Sequence, residues 1–295
     1  MKLPPLPEGI RAGRLTGWSA DRAERRDCPV CGANDPRPLV TRPDGFVVHV
    51  CGCGMVYLAE VPATADLDAL YTGYGEFKNF ADVPMSASEM RVEIAADPFL
   101  SILERTGGIA GRALCEIGCS SGRFLELARR LGAEVYGVEL DEKARIALDR
   151  KGIPASPGFP AGKTFDIICA FHVLEHLTTP DGLVAASAAA LKVDGRFLAA
   201  VPNGGEAERV GPPWIGFRVD LEHLNYFSLK TLAALLSRRG LWVEQWWERD
   251  QPDVQRPRSV GAGLIRRIAT RLRGITDPGA FRAGNFNLVA LARRA

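Results

Sequence analysis

The chain has no uninterrupted apolar run approaching the roughly 20 residues that span a bilayer. Its start, MKLPPLPEGI, lacks the apolar stretch of a secretory leader. These absences argue against integral membrane association and place the chain in the cytoplasm. Charge of one sign is lacking too: 37 Lys and Arg stand against 35 Asp and Glu, a formal net charge of +2. Nothing in that balance calls for nucleic acid or an anionic membrane, and either partner would have to use a local patch. No internal repeat is visible. What is present, 46% hydrophobic and 24% charged residues over 295 positions, describes an ordinary globular protein with one large core or two smaller ones. Seven cysteines cannot all pair, and four of them stand in two tight pairs, which in a reducing compartment favours metal binding over a disulfide framework.

Residues 1–25 are rich in Pro, Gly and Arg without periodicity and read as an irregular N-terminal arm. Residues 26–62 carry short β-prone runs, Phe46 to Val50 and Met55 to Leu58, between Gly, Pro and Asp. That segment is too short to bury much core without a staple. Residues 63–94 read as a polar linker or lid with Tyr71 and Tyr74, and residues 95–295 as the main domain, opening with a helix from about Asp97 to Arg105.

From there the pattern is regular. Arg112 to Ile117 is an apolar run that opens into Gly118 to Gly122, followed by a helix with Phe124, Leu127, Ala128 and Leu131 on one face. Further strands are expected at Glu134 to Glu139, Asp166 to Phe171, Arg196 to Val201, Leu241 to Glu248 and Asn285 to Ala292. Helices are expected at Asp141 to Arg150, at Asp181 to Leu191 before a turn at Asp194-Gly195, and after a Ser228 cap. Strands alternating with helices predict an α/β fold with a mostly parallel sheet covered on both faces.

Glu116, Gly118 and Gly122 form an E-x-G-x-x-x-G array at a strand-to-helix turn, where glycine lets the backbone bend sharply and a ligand approach closely. Glu139 ends the next strand, where a carboxylate can accept both hydroxyls of a ribose. Turn and spaced acid together say more than either alone. On these residues the chain from about 95 to 292 resembles a class I S-adenosylmethionine-dependent methyltransferase, a Rossmann-type fold with a mostly parallel seven-stranded sheet. Ser120 replaces the middle glycine of that family's first motif. The resemblance implies that Glu116, Gly118, Cys119 and Gly122 lie against the methionine part of the cofactor, with Glu139 on the ribose and Leu140 against the adenine. Tyr74 in the preceding lid is a further candidate contact. No acid between Pro154 and Lys163 is present to meet the adenine amino group. An NAD-dependent dehydrogenase is the competing reading, against which stands the absence of G-x-G-x-x-G.

FDIICAFHVLEHL and LKVDGRFLAAVPN resemble the fourth and fifth strands of the subgroup that includes ubiquinone-pathway O-methyltransferases and sugar methyltransferases. Phe171, His172, Glu175 and His176 then stand near the methyl donor, because strand ends face the ligand crevice in open α/β sheets. DLEHLNYFSLKTL resembles the loop before the fifth helix, with His223 as the first choice of general base. Tyr226, Asp220, His172 and His176 are further candidates, and each histidine has a purely structural alternative as a satisfied hydrogen-bonder.

Cys28-Pro-Val-Cys31 and Cys51-Gly-Cys53 can close a tetrahedral zinc site on facing loops, with free thiols or a redox pair as the alternative and His49 as a substitute ligand. The segment resembles the zinc-ribbon module that precedes some methyltransferases, and such a zinc would be structural. Leu264, Ile265, Ile268 and Leu272 interleave with Arg266, Arg267, Arg271 and Arg273, a stripe expected to dock on its own domain. The reading is methyl transfer to a small-molecule acceptor: a sugar, nucleotide-sugar or secondary-metabolite hydroxyl or activated carbon. A zinc-ribbon RNA methyltransferase and a non-catalytic cofactor-binding protein are the alternatives. Few aromatic and basic residues between the cysteine pairs argue against RNA.

Overall fold

The computed structural model describes residue 18 and residues 20–72, 86–249 and 286–295. Tyr74, the stripe at 264–273 and most of the expected N-terminal arm lie outside the described residues. Short strands come first: β1 (Glu24–Arg25), β2 (Arg37–Thr41), β3 (Val47–Val50), β4 (Val56–Leu58) and β5 (Glu60–Val61). Helices α1 (Thr64–Thr72), α2 (Ala87–Ala96) and α3 (Pro98–Arg105) lead into β6 (Ala113–Ile117), α4 (Arg123–Arg130), β7 (Glu134–Val138), α5 (Glu142–Arg150), β8 (Ala155–Ser156) and β9 (Phe165–Phe171). A 3-10 turn at Leu174–His176 precedes α6 (Pro180–Ala190), β10 (Leu191–Pro202), α7 (Gly204–Val210), α8 (Gly216–Val219), β11 (Asn225–Tyr226), α9 (Leu229–Ser237), β12 (Leu241–Arg249) and β13 (Asn287–Arg294).

Seven strands form one sheet in the order β12-β13-β10-β9-β6-β7-β8, the mostly parallel Rossmann-type sheet expected from the alternation. β6 runs parallel to both β7 and β9, and β7 parallel to β8. β6 and β9 are nearly continuous apolar runs, as strands covered on both faces must be. A second sheet, β11-β4-β3-β2, is antiparallel through its described pairs, with Asn225 opposite Tyr57 and Tyr226 opposite Val56.

Two expectations need correction. The span read as a linker holds α1 and α2, and α2 starts with a capping box: the Ser86 hydroxyl accepts from the Glu89 N–H while the Glu89 carboxylate accepts from the Ser86 N–H. The turn expected at Asp194-Gly195 is instead a kink inside β10, which begins at Leu191. Asp194 takes the left-handed conformation (φ 59°) there, so the chain bends without leaving the strand.

The chain divides into two compact units. One comprises Met1–Thr64, His172–Val184 and Ala199–Ala292; the other comprises Ala65–Phe171, Ala185–Leu198 and Arg293–Ala295. The second unit buries Leu114, Cys115, Leu125, Ala128, Leu148, Phe165, Ile168 and Cys169 completely, so Cys115 and Cys169 act as small apolar fillers. The first buries Val48, Met55, Tyr57, Leu58, Leu224, Phe227 and Leu235.

Gly122, the N-cap of α4, has φ 73°, and a Cβ there would overlap the Leu148 side chain of α5. Left-handed strain and overpacking together should make Gly122→Ala cost roughly 2–4 kcal/mol. Urea unfolding of the variant against the parent protein measures it, and an unchanged midpoint would contradict the packing described.

Candidate functional site

The second unit carries the glycine turn. The Gly118 N–H donates to the Val138 carbonyl at 2.7 Å, fixing the turn over the end of β7. Ser120 stands in the left-handed region (φ 49°), the conformation for which a middle glycine would be the easier choice. Its N–H points at Glu139: Ser120 N donates to Oε2 at 2.8 Å and Asp141 N to Oε1 at 3.0 Å. Each carboxylate oxygen thus keeps a lone pair for a further donor, such as the two hydroxyls of a ribose. Leu140, the next residue, is 60% exposed. The Cys119 thiol is buried, and a Cβ on Gly137 would lie 2.6 Å from its sulfur. Cys119 therefore offers a ligand its backbone rather than its side chain.

Glu116 is buried, and its Oε2 has no hydrogen-bond partner. Burial first, then the charges of Asp97 and Glu139, hold its pKa well above the carboxylate range. Asp97, read in the sequence only as a helix start, stands close enough to Glu116 for its charge to act there. It caps α3 by accepting from Phe99 N at 2.8 Å and Leu100 N at 2.9 Å, and burial raises its pKa as well. Phe171 stacks on Phe99 with ring centroids 3.9 Å apart and meets the Phe124 ring edge-on at 4.9 Å. Acids kept together in an apolar setting favour a cation as ligand.

The first unit holds all four histidines, and three of them, His172, His176 and His223, interact with one another. His172 has φ 54°, and its N–H donates to the Ala200 carbonyl at 2.9 Å. Its Nδ1 lies 3.1 Å from Oε1 of Glu175, whose side chain is fully buried while that of His172 is 37% exposed. Burial alone would lower the His172 pKa, but the Glu175 hydrogen bond and charge, with Asp220, outweigh it and hold it above 6.5. Glu175 Oε2 has no partner. The His176 and His223 rings meet edge-on with centroids 4.8 Å apart. His223, 6% exposed, has its pKa driven well below the ordinary value by burial, then by His176, His172 and Arg42. Asp220 is raised, by burial first. The Tyr226 hydroxyl is enclosed, accepting from Arg42 Nη1 at 2.9 Å and donating to the His223 carbonyl at 3.4 Å. Of His172, His223 and Tyr226, His172 is the partly open side chain, while the other two are enclosed.

The four cysteines of the first unit come together as their spacing predicts. Cys28, Cys31, Cys51 and Cys53 present sulfurs all within 4.8 Å of one another. Two small turns shape the knuckles, with Gly32 N donating to Cys28 O and Gly54 N to Cys51 O, each at 2.9 Å. Thiolates around one zinc at about 2.3 Å stand roughly 3.8 Å apart in a tetrahedron. Cys28 Sγ lies 3.7 Å from Cys53 Sγ, and Cys31 Sγ 3.4 Å from Cys51 Sγ. Burial pushes the Cys28 thiol up to about 11 without a cation; at Cys31 burial is outweighed by the Ala33 N–H and the neighbouring thiols, which pull it down. The donor set fits zinc. His49 is not in the group, so a fourth ligand need not come from it.

The sequence matches the family described as methyltransferase domain over residues 88–245, more than half of the chain. The chain belongs to the methyltransferase-domain family. Among curated relatives, the ubiquinone biosynthesis O-methyltransferase of Photorhabdus laumondii is 30% identical over 114 residues, 35% of this chain and 48% of that protein. The Cereibacter sphaeroides enzyme of the same name is 27% identical over 158 residues, 48% of this chain and 64% of that protein. The chain thus spans about half to two thirds of the length of these relatives. Among solved structures, an S-adenosylmethionine-dependent methyltransferase from Mesorhizobium loti aligns with 20% identity over 68% of this chain and 100% of that chain (TM-score 0.49). The magnesium protoporphyrin IX methyltransferase of Synechocystis aligns with 14% identity over 79% of this chain and 96% of that one (TM-score 0.48).

Within this methyltransferase domain, sequence reading missed the residues that hold the histidine loops. Asn225 Nδ2 donates to the carbonyls of Leu174 (3.0 Å) and Leu177 (2.7 Å), and Leu224 N to the Glu175 carbonyl at 2.8 Å. The sequence signal was Asn225 itself, an amide inside an otherwise apolar run. Among the described residues no helix is long and apolar enough to cross a membrane. Because Glu175 holds the His172 pKa up, Glu175→Gln should move the His172 titration toward lower pH. Histidine-resolved NMR titration reads this, and an unmoved midpoint would dissolve the pair.

Proposed function

We propose that the protein transfers a methyl group from S-adenosylmethionine to a hydroxyl of a small-molecule acceptor, a sugar, nucleotide-sugar or secondary metabolite, with His172 as general base. The observation that carries this reading is Glu139, its carboxylate pinned by the backbone of the glycine turn and of Asp141 with lone pairs to spare. Glu139 binds the ribose, the exposed Leu140 covers the adenine, and the buried Glu116 with Asp97 faces the methionine ammonium. The unpaired Glu116 Oε2 supports that placement, since a buried acceptor without a donor costs about 1–3 kcal/mol.

When bound, the cofactor supplies a methyl group already activated on a sulfonium, leaving as the thioether S-adenosylhomocysteine. The protein's own task is to orient the acceptor and take its proton. Glu175 accepts from His172 Nδ1–H and so leaves Nε2 free to receive that proton. His176 and the buried, neutral His223 help wall the acceptor. The likeness to enzymes named for ubiquinone O-methylation supports a hydroxyl as the receiving group. The four thiols hold a zinc that is structural, since protein ligands fill every position.

Two outcomes are expected. Calorimetric titration of S-adenosylhomocysteine should give a defined affinity that Glu139→Ala weakens roughly 10- to 100-fold, the worth of charge-assisted hydrogen bonds. Once an acceptor is in hand from a screen of hydroxyl compounds, His172→Ala should lower kcat by about 10²–10⁴. The parent's kcat/KM should rise with pH through the His172 pKa, above 6.5, because only the neutral ring accepts a proton. No cofactor binding by zinc-loaded protein would overturn the assignment, and an undiminished kcat in His172→Ala would remove this base.

A further inference from the structure

Two arginines of the cysteine module reach the loops that carry the histidines, all within the first unit. Arg26, two residues before Cys28, donates from Nε to its own module's Leu58 carbonyl at 2.8 Å. Its Nη1 reaches the carbonyls of Thr178 (2.7 Å) and Leu177 (3.4 Å), just past Glu175 and His176. Its Nη2 reaches the Leu224 carbonyl and Asn225 Oδ1, both at 2.9 Å, just past His223. Arg42, on the turn between β2 and β3, donates to the His223 carbonyl (2.6 Å), the Leu221 carbonyl (2.6 Å) and the Tyr226 hydroxyl (2.9 Å). Asp44 neutralises it, and both side chains are almost wholly buried. β11 adds to the module's sheet, and Leu58 N donates to the Leu224 carbonyl at 2.9 Å.

From these bonds we infer that the cysteine module is a working part of the acceptor site: Arg26 and Arg42 are positioning residues for His172, His176 and His223, and metal occupancy of the four thiols sets whether those histidines are in place. The inference rests on the proposed role of the histidines for its meaning but not for its geometry. The knuckles are two short turns whose only shared centre is the four-thiol cluster, so their folding is coupled to the metal. Without folded knuckles the guanidinium groups leave, and the carbonyls of Leu177, Thr178, Leu221, His223 and Leu224 lose charged donors worth more than neutral ones. The loops then move, and Glu175 with them, together with the groups that face His172: Asp220, His176 and His223. Glu116, the glycine turn and Glu139 are not among the partners of Arg26 and Arg42, so cofactor affinity serves as the control readout.

The test uses the full chain with stoichiometric zinc, the same chain after chelation, and an Arg26→Gln variant that leaves the Arg42–Asp44 pair and all four cysteines intact. Bound zinc is counted, S-adenosylhomocysteine affinity is measured by calorimetry, and histidine titrations are followed by NMR. Chelation should move the His172 midpoint to lower pH and zinc should restore it, with cofactor affinity constant within about twofold, the scatter of independent sites. Arg26→Gln should keep one zinc per chain yet reproduce the histidine shift, and Arg26→Lys should restore only part of it because an ammonium cannot fork between two loops. His172 signals that ignore zinc removal and Arg26→Gln would overturn the inference. So would a histidine shift that collapses in step with cofactor affinity at every zinc level, since that is unfolding of the whole chain. Absence of cofactor binding by the zinc-loaded parent would instead sink the proposed activity, while the histidine titrations still decide the positioning role.

Discussion

A guanidinium group cut off from water must place its N–H groups on oxygen atoms, and the burial of Arg42 sets much of the first unit's arrangement. Its partners are an aspartate two residues away and backbone carbonyls about 180 residues away. Removing a charge from water costs several kcal/mol unless geometry and pairing repay it. The hairpin that carries Arg42 and the loop from Leu221 to Tyr226 therefore have little freedom to adopt other relative positions. Tyr226 follows from the same demand: its ring stacks edge-on with Trp214 and Phe217, and its hydroxyl completes the shell around the cation. The tyrosine read in sequence as a candidate site residue is buried here with its hydroxyl on arginine.

The second unit shows the opposite imbalance, an excess of anions. Glu116 and Asp97 are both raised, with burial as the leading cause. Asp97 is held by backbone N–H groups at a helix start, whereas Glu116 keeps an oxygen with no donor. The Arg123 charge reaches Asp97 but, among the described residues, no cation acts on Glu116, and a buried acid so placed is stable only so far as it is protonated or matched by a ligand's charge. S-adenosylmethionine brings an ammonium and a sulfonium, the complement this surrounding asks for. A nicotinamide dinucleotide would bring an anionic diphosphate, which buried acids repel, a physical reason to prefer the methyl donor over a hydride carrier beyond the glycine spacing.

The glycine turn, the acid after it and the cysteine pairs were legible because each is a local pattern whose spacing forces its geometry. Gly118 to Gly122 and Glu139 directly follow the ends of adjoining parallel strands, and the knuckles close within four residues. The Ser86-x-x-Glu89 box was equally local, and overlooking it turned a helix into a linker. The start of β10 was not legible, since Asp194 and Gly195 carry the composition of a turn and only pairing in the sheet shows that the strand continues through them. β11 was hidden for a related reason: two residues form a strand only because the edge of β4 is there to receive them.

Ranking the histidines shows where sequence reading stops. His172, His176 and His223 all sit in words that resemble methyltransferase motifs, and nothing in those words orders them by basicity. The order comes from surroundings: His172 has a buried carboxylate three residues on and an open ring, while His223 is enclosed with Arg42 and two other imidazoles against its charged form. A base must be reachable and must hold a proton tightly enough to draw it from a hydroxyl, and both requirements point to His172. His223 keeps a different value. Its neutrality lets an imidazole stand beside a guanidinium without repulsion, so the residue nearest the arginine is the one whose charge the site can do without.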